Sequence, residues 1–181
     1  MKKLALVAVL GVVLAIVGVF ADHPSGWGVG LDVQLGGSWD KDYYGDPGAR
    51  YALSLKAPQL PIFWGITLDI NNNWFGIGIT GDYYLIDKLL VKNIGLGWYL
   101  GLGGYVNVNI WDLPADYSWT SIGLGARLPI GLSWQPLDFL EVFLDFGPSL
   151  GLAFGLGDAY DDHIHFPDGG WAGDFGIRFW F

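Results

Sequence analysis

The sequence predicts an all-β protein: an eight-stranded antiparallel up-and-down transmembrane β-barrel, preceded by a cleavable signal peptide. Three observations carry this. From Trp27 to Phe181, apolar residues alternate with small or polar ones, a period of two rather than 3.6. The apolar face of these segments has no charge, and the strand charges fall on the other face. The composition is that of a membrane protein: 52% apolar, 17% aromatic with ten Trp, only 15% charged, and 29 Gly among 181 residues.

The chain opens with MKKLALVAVLGVVLAIVGVFA. Lys2 and Lys3 give a positive start, Leu4 to Phe20 is an uncharged apolar run, and Val19-Phe20-Ala21 offers a cleavage site. The expectation is a signal peptide at 1–21 and a barrel at 22–181. The run sits at the short limit for a spanning helix, so a retained anchor is the alternative.

The eight segments follow in order. Trp27, Val29, Leu31, Val33 and Leu35 oppose Gly28, Gly30, Asp32 and Gln34. Tyr51, Leu53, Leu55 and Ala57 oppose Arg50, Ala52, Ser54 and Lys56. Ile62, Trp64, Ile66, Leu68 and Ile70 oppose Phe63, Gly65, Thr67 and Asp69. Phe75, Ile77, Ile79 and Tyr83 oppose Trp74, Gly76, Gly78, Thr80, Asp82 and Tyr84. Leu96, Trp98, Leu100, Leu102, Val106 and Val108 oppose Gly97, Tyr99, Gly101, Gly103, Tyr105 and Asn107. Ile122, Leu124, Leu128, Ile130, Leu132 and Trp134 oppose Ser121, Gly123, Gly125, Arg127, Gly131 and Ser133. Leu140, Val142, Leu144, Phe146 and Leu150 oppose Glu141, Phe143, Asp145, Gly147 and Ser149. Trp171, Phe175, Ile177, Phe179 and Phe181 oppose Ala172, Asp174, Gly176, Arg178 and Trp180. A tilted transmembrane strand needs about 9–11 residues, which these segments supply.

Small residues suit the narrow lumen of an eight-stranded barrel, and large aliphatics suit lipid. The apolar face therefore points outward. Connections at 37–49, 111–118 and 155–170 are expected at the outer surface with a short one at 72–73, and 58–61, 86–93 and 135–139 at the periplasmic side. Trp27, Trp64, Trp98, Trp134 and Trp171 fall near strand ends, as interfacial aromatics do.

The inward charges form an expected lumen network of Asp32, Lys56, Asp82, Arg127, Glu141, Asp145, Asp174 and Arg178. A buried unpaired charge is costly, so pairing is expected. A tight turn at 135–139 would set Trp134 opposite Leu140 and Arg127 opposite Gly147, where Arg127 can lean toward Asp145. Glu141 and Asp32 are the candidate partners of Arg178. Acids outnumber bases, which leaves some carboxylates unpaired, wet or protonated. Phe63, Trp74, Tyr84, Tyr99, Tyr105, Phe143 and Trp180 add bulk, so the lumen is expected to be largely plugged. Pro129 and Pro148 fall inside strands and mark a local bend or, in the sharper reading, a lateral opening.

Several function classes are disfavoured. A net charge of −9, more acidic still once Lys2 and Lys3 are cut away, argues against nucleic acid. There is no Cys, hence no disulfide or thiolate chemistry. The G-x-G strings lie in alternating segments with no helix after them and are no phosphate loop. His23, His163 and His165 lie outside the predicted strands, so Ser54, Ser121, Ser133 and Ser149 lack a His partner and no enzyme is expected. In DAYDDHIHFPD, Asp161, Asp162, His163 and His165 are the candidate ligands for a divalent cation at the fourth outer loop; the competing reading is a solvated acidic loop, and no other cofactor is expected.

The last strand reads DFGIRFWF. Asp174, Gly176, Phe179 and Phe181 match the C-terminal pattern polar, Gly, apolar, aromatic of outer-membrane barrels. The chain resembles the small eight-stranded outer-membrane barrels of the OmpA-domain, OmpX and OmpW kind over its whole mature length. Its Gly-rich aromatic style also resembles small spirochaetal outer-membrane barrels with no assigned role. The resemblance implies recognition by the outer-membrane assembly machinery, contact with outer-membrane lipid, and location in the outer membrane of a diderm bacterium with the outer loops at the surface. Three roles follow as expectations: a structural and surface-interaction barrel whose loops bind an extracellular ligand, a narrow OmpW-like channel for small apolar or ionic solutes, and a lipid-modifying barrel enzyme, in that order. Trp39, Tyr43, Tyr44, Trp111, Tyr117, Trp119, Tyr160 and Phe166 crowd the outer end as an interfacial belt and cap or as a binding surface.

Overall fold

Among the described residues, ten strands form one antiparallel sheet that closes on itself. The computed structural model describes residues 23–39, 48–71, 74–113, 117–156 and 164–181. The strands are β1 (Gly28–Ser38), β2 (Gly48–Lys56), β3 (Phe63–Asn71), β4 (Trp74–Val91), β5 (Leu96–Leu113), β6 (Tyr117–Arg127), β7 (Ile130–Leu137), β8 (Leu140–Leu156), β9 (Ile164–Asp168) and β10 (Gly170–Trp180). Neighbours in sequence pair from β1 through β6, and β10 pairs with both β8 and β1. The β1–β10 seam runs from Gly28↔Trp180 to Ser38↔Gly170. Trp27 and Phe181 extend it with reciprocal N–H···O bonds of 3.0 and 2.8 Å.

Ten strands make eight staves. β6 and β7 are one stave interrupted at Leu128-Pro129: β6 pairs Arg127 with Ser149, and β7 resumes at Ile130 with Phe146. β9 and β10 are one stave broken at Gly169, whose φ of 100° is open to Gly without strain. The ring therefore has the eight-stave, up-and-down order read from the sequence.

The two faces are also as read. Leu31 is 68% exposed and Ile70 77%, whereas Tyr99 is 1% exposed and Phe143 4%. An apolar exterior around a polar, glycine-lined interior inverts the soluble arrangement. It fits lipid outside, because a closed ring leaves no unpaired sheet edge for hydrocarbon to meet.

Four details differ from the sequence expectation. β4 and β5 each run 18 residues. The link expected at 86–93 is strand up to Val91, followed by a 3-10 turn at Lys92–Ile94 and Gly95 with φ 67°. Across the β7–β8 hairpin, Trp134 faces Val142 and Arg127 faces Ser149, not Leu140 and Gly147. An irregularity between Trp134 and Leu137, where Pro136 has no N–H to give, moves the register. The expected fourth loop is partly strand, since Ile164–Asp168 is β9 and carries His165 opposite Ala153.

The wall stays hydrogen-bonded at Pro129 and Pro148. Leu128 N–H donates to Pro148 O at 3.0 Å, and Gly101 N–H donates to Pro129 O at 2.7 Å. The prolines interrupt strand geometry there, and neighbouring backbone bonds bridge the site.

Candidate functional site

The lumen holds the polar chemistry of the molecule, arranged in three layers. The first lies at the end where the chain enters and leaves the barrel. Here the segment before β1 turns inward and His23 is 8% exposed. Its Nδ1 is 2.7 Å from Asp87 Oδ1 and its Nε2 2.9 Å from Glu141 Oε1, while its backbone N–H donates to Asp87 Oδ2 at 3.2 Å. Glu141, fully buried, also accepts from Arg178 Nη1 at 2.7 Å and Trp180 Nε1 at 2.9 Å. Arg178 Nε and Nη2 donate to Ser54 Oγ at 3.2 and 2.9 Å.

Rings close this layer. Phe63 stacks on Tyr84 at 4.1 Å and Tyr84 on Tyr99 at 4.3 Å. The His23 ring lies 5.2 to 5.6 Å from these three rings. The Arg178 guanidinium sits 4.9 Å from the Phe63 centroid and 4.6 Å from that of Phe143, within cation–π range. Lys56 lies at the same end, its Nζ donating to Ala57 O at 2.8 Å. Burial alone would lower the pKa of the His23 imidazole; Glu141 and Asp87 outweigh it and hold it up at about 9. The ring is thus a cation at neutral pH and donates from both nitrogens.

The second layer surrounds Arg127. Its Nε is 3.4 Å from Asp82 Oδ1, and its Nη2 is 3.4 Å from Asp174 Oδ2 and 3.9 Å from Asp145 Oδ1. Tyr99 donates to Asp145 Oδ2 at 2.8 Å. Asp32 lines the same space. A Cβ on Gly147 would stand 2.9 Å from Arg127 Nη2, so the absent side chain makes room for the guanidinium despite the shifted register.

The third layer is an open vestibule of about 600 Å³ at the loop end. Gln34, Asn107, Asn109, Thr67 and Ser149 line it, with the Arg50–Asp69 pair at 2.8 Å and Tyr105 donating to Asp168 at 2.6 Å. It narrows onto Arg127.

All eight residues of the expected network, Asp32, Lys56, Asp82, Arg127, Glu141, Asp145, Asp174 and Arg178, are buried in the lumen. Arg178 pairs with Glu141, while Arg127 faces Asp82, Asp145 and Asp174, and both guanidiniums border one small cavity. Arg178 takes Glu141 and not Asp32 as its ion-pair partner. Among the terminal residues, Asp174 and Gly176 point inward, while Phe179 is 46% exposed and Phe181 81% on the lipid face. Of the loop ligands, Asp161, Asp162 and His163 lie outside the described residues.

His23 and Asp87 were not singled out by the sequence pattern. His23 belongs to no periodic segment. Asp87 follows a register shift between Tyr84 and Ile86, which brings a residue of the wrong parity inward.

A closed ring, an outer face that is apolar apart from Lys88 near the end of β4, and a polar lumen decide the architecture. This is an eight-stave β-barrel of the transmembrane type. No family profile and no curated protein matches the chain. Among solved structures it is similar to Neisserial surface protein A, at 16% identity and TM-score 0.49 over 86% of this chain and 97% of that one. It is similar to the N-terminal β-barrel domain of Pseudomonas aeruginosa OprF, at 13% identity and TM-score 0.46 over 84% and 97%. A major outer membrane protein from Thermus thermophilus aligns at 14% identity and TM-score 0.43 over 86% and 99%.

Proposed function

We propose that this barrel is a structural and surface-interaction protein of the outer membrane of a diderm bacterium, with its lumen closed at the periplasmic end and its loop end offered to extracellular ligands. The observation that carries this reading is the first lumen layer. A fully buried Glu141 binds His23, Arg178 and Trp180 at once, behind a continuous stack of Phe63, Tyr84 and Tyr99. A solute would have to break these contacts together. Planar-bilayer recording of the purified barrel tests it: the expected trace shows no sustained conductance steps at neutral pH. Reproducible unitary steps would favour the second reading, a narrow channel for small solutes, which the vestibule favours.

A lipid-modifying role has little support. The Ser54 hydroxyl is taken by Arg178, and both nitrogens of His23 face carboxylates, so neither forms a nucleophile and base pair. The outward face of β10 with Phe179 and Phe181 supports recognition of that strand by the assembly machinery, and the apolar belt supports contact with outer-membrane lipid.

A further inference from the structure

We infer that the middle of the lumen is a binding site for one small hard cation, carried by Asp145 and Asp174 and reached from the vestibule. Asp145 on β8 and Asp174 on β10 are directly opposed across the strand pair, both facing inward. Like charges at such a position repel unless something stands between them. Their outer oxygens are engaged: Asp145 Oδ2 accepts from Tyr99 at 2.8 Å, and Asp174 Oδ2 from Arg127 at 3.4 Å. Their Oδ1 atoms, and Asp82 Oδ1, are buried with no hydrogen bond in the protein, although Asp82 Oδ1 and Asp145 Oδ1 face the Arg127 guanidinium at 3.4 and 3.9 Å. The three residues are 9%, 6% and 7% exposed, respectively.

Charge makes the same point. Asp82, Asp145 and Asp174 share one guanidinium, that of Arg127, with Asp32 beside them, and Arg178, which also lines the cavity, is already ion-paired with Glu141 and bonded to Ser54. One proton between Asp145 and Asp174 would neutralise only part of that excess in a medium where charge is expensive. These four acids line a cavity of about 40 Å³, room for an ion with one or two waters, together with the hydroxyl residues Thr67 and Thr80. The cavity shares Gln34, Thr67, Thr80 and Arg127 with the vestibule, which gives a way in from the loop end. Among the described residues no three acidic or His side chains form a ready-made metal cage. The site therefore suits a cation that two carboxylates hold while water completes the shell, as Mg²⁺ and Ca²⁺ allow.

The experiment is calorimetric titration of the chelator-treated, purified barrel with CaCl₂ and with MgCl₂ in a KCl background at pH 7.5. One saturable site is expected for at least one ion. It should weaken at least tenfold in Asp145→Asn/Asp174→Asn and persist in Asp161→Asn/Asp162→Asn, which removes the two acids beside His163. Asp174→Asn alone, with its β-sheet signal checked by circular dichroism, serves if the double variant does not fold. No saturable uptake by the wild-type barrel overturns the inference and leaves a proton as the occupant. Uptake that survives loss of Asp174, or vanishes with Asp161 and Asp162, overturns it as well.

Discussion

A protonated imidazole held between two carboxylates away from water is stable only while it keeps its proton, and His23 is in that position. Its pKa rises from 6.5 to about 9 on folding. The linked stabilisation is therefore complete below pH 6.5, declines above it, and is gone once pH has risen past about 9. A shift of that size corresponds to on the order of 3 kcal/mol. Thermal unfolding of the wild type and His23→Ala in detergent should differ most near pH 6 and least near pH 10, where only lost packing remains. A difference that does not change with pH would contradict an ionised imidazole. Nothing in the sequence marks this residue: it stands alone before the first strand, and its partners are 64 and 118 positions away. The charges inside the regular stretches of the staves, such as Asp32, Arg127 and Arg178, were legible, because period two assigns each a face.

At the scale of the strand, glycine placement and local register decide which surfaces meet. A Cβ on Gly176 in β10 would fall 2.4 Å from the Phe143 ring and 2.6 Å from Asp32 Cβ. Gly176→Val should cost about 1–3 kcal/mol through overpacking, and more if the last strand cannot seat. Urea unfolding of refolded protein measures it; an unchanged midpoint would mean the lumen yields there. Phe181 is a different case, since its ring is 81% exposed and packs little inside the protein. If the assembly machinery reads it, deleting Phe181 should lower assembly in cells more than refolding yield in detergent. Equal yields in both would leave β10 as a closing strand only. Strand faces could be read from alternation alone, whereas the shift after Tyr84 and the irregularity after Trp134 could not, because one extra residue reverses parity without leaving a mark in composition. That is why Asp87 and the β7–β8 register were missed while Arg127 and Arg178 were found.

Across the whole molecule, the end where β1 starts and β10 finishes is packed and the loop end is hollow. Closure there does not depend on His23 alone, because the Phe63–Tyr84–Tyr99 stack and the Arg178–Glu141–Ser54 bonds span the lumen beside it. His23→Ala should therefore lose stability without gaining conductance in planar bilayers; sustained steps in that variant would make the imidazole the closure itself. The His23 segment also has a mechanical consequence. It hangs from β1 and grips Asp87 on β4 and Glu141 on β8. Around the eight-stave ring these three attachments are almost evenly spaced. A hoop pinned at three such points resists being squeezed into an oval, so the rim is braced against the sideways pressure of the bilayer by a tripod with one imidazole at its hub.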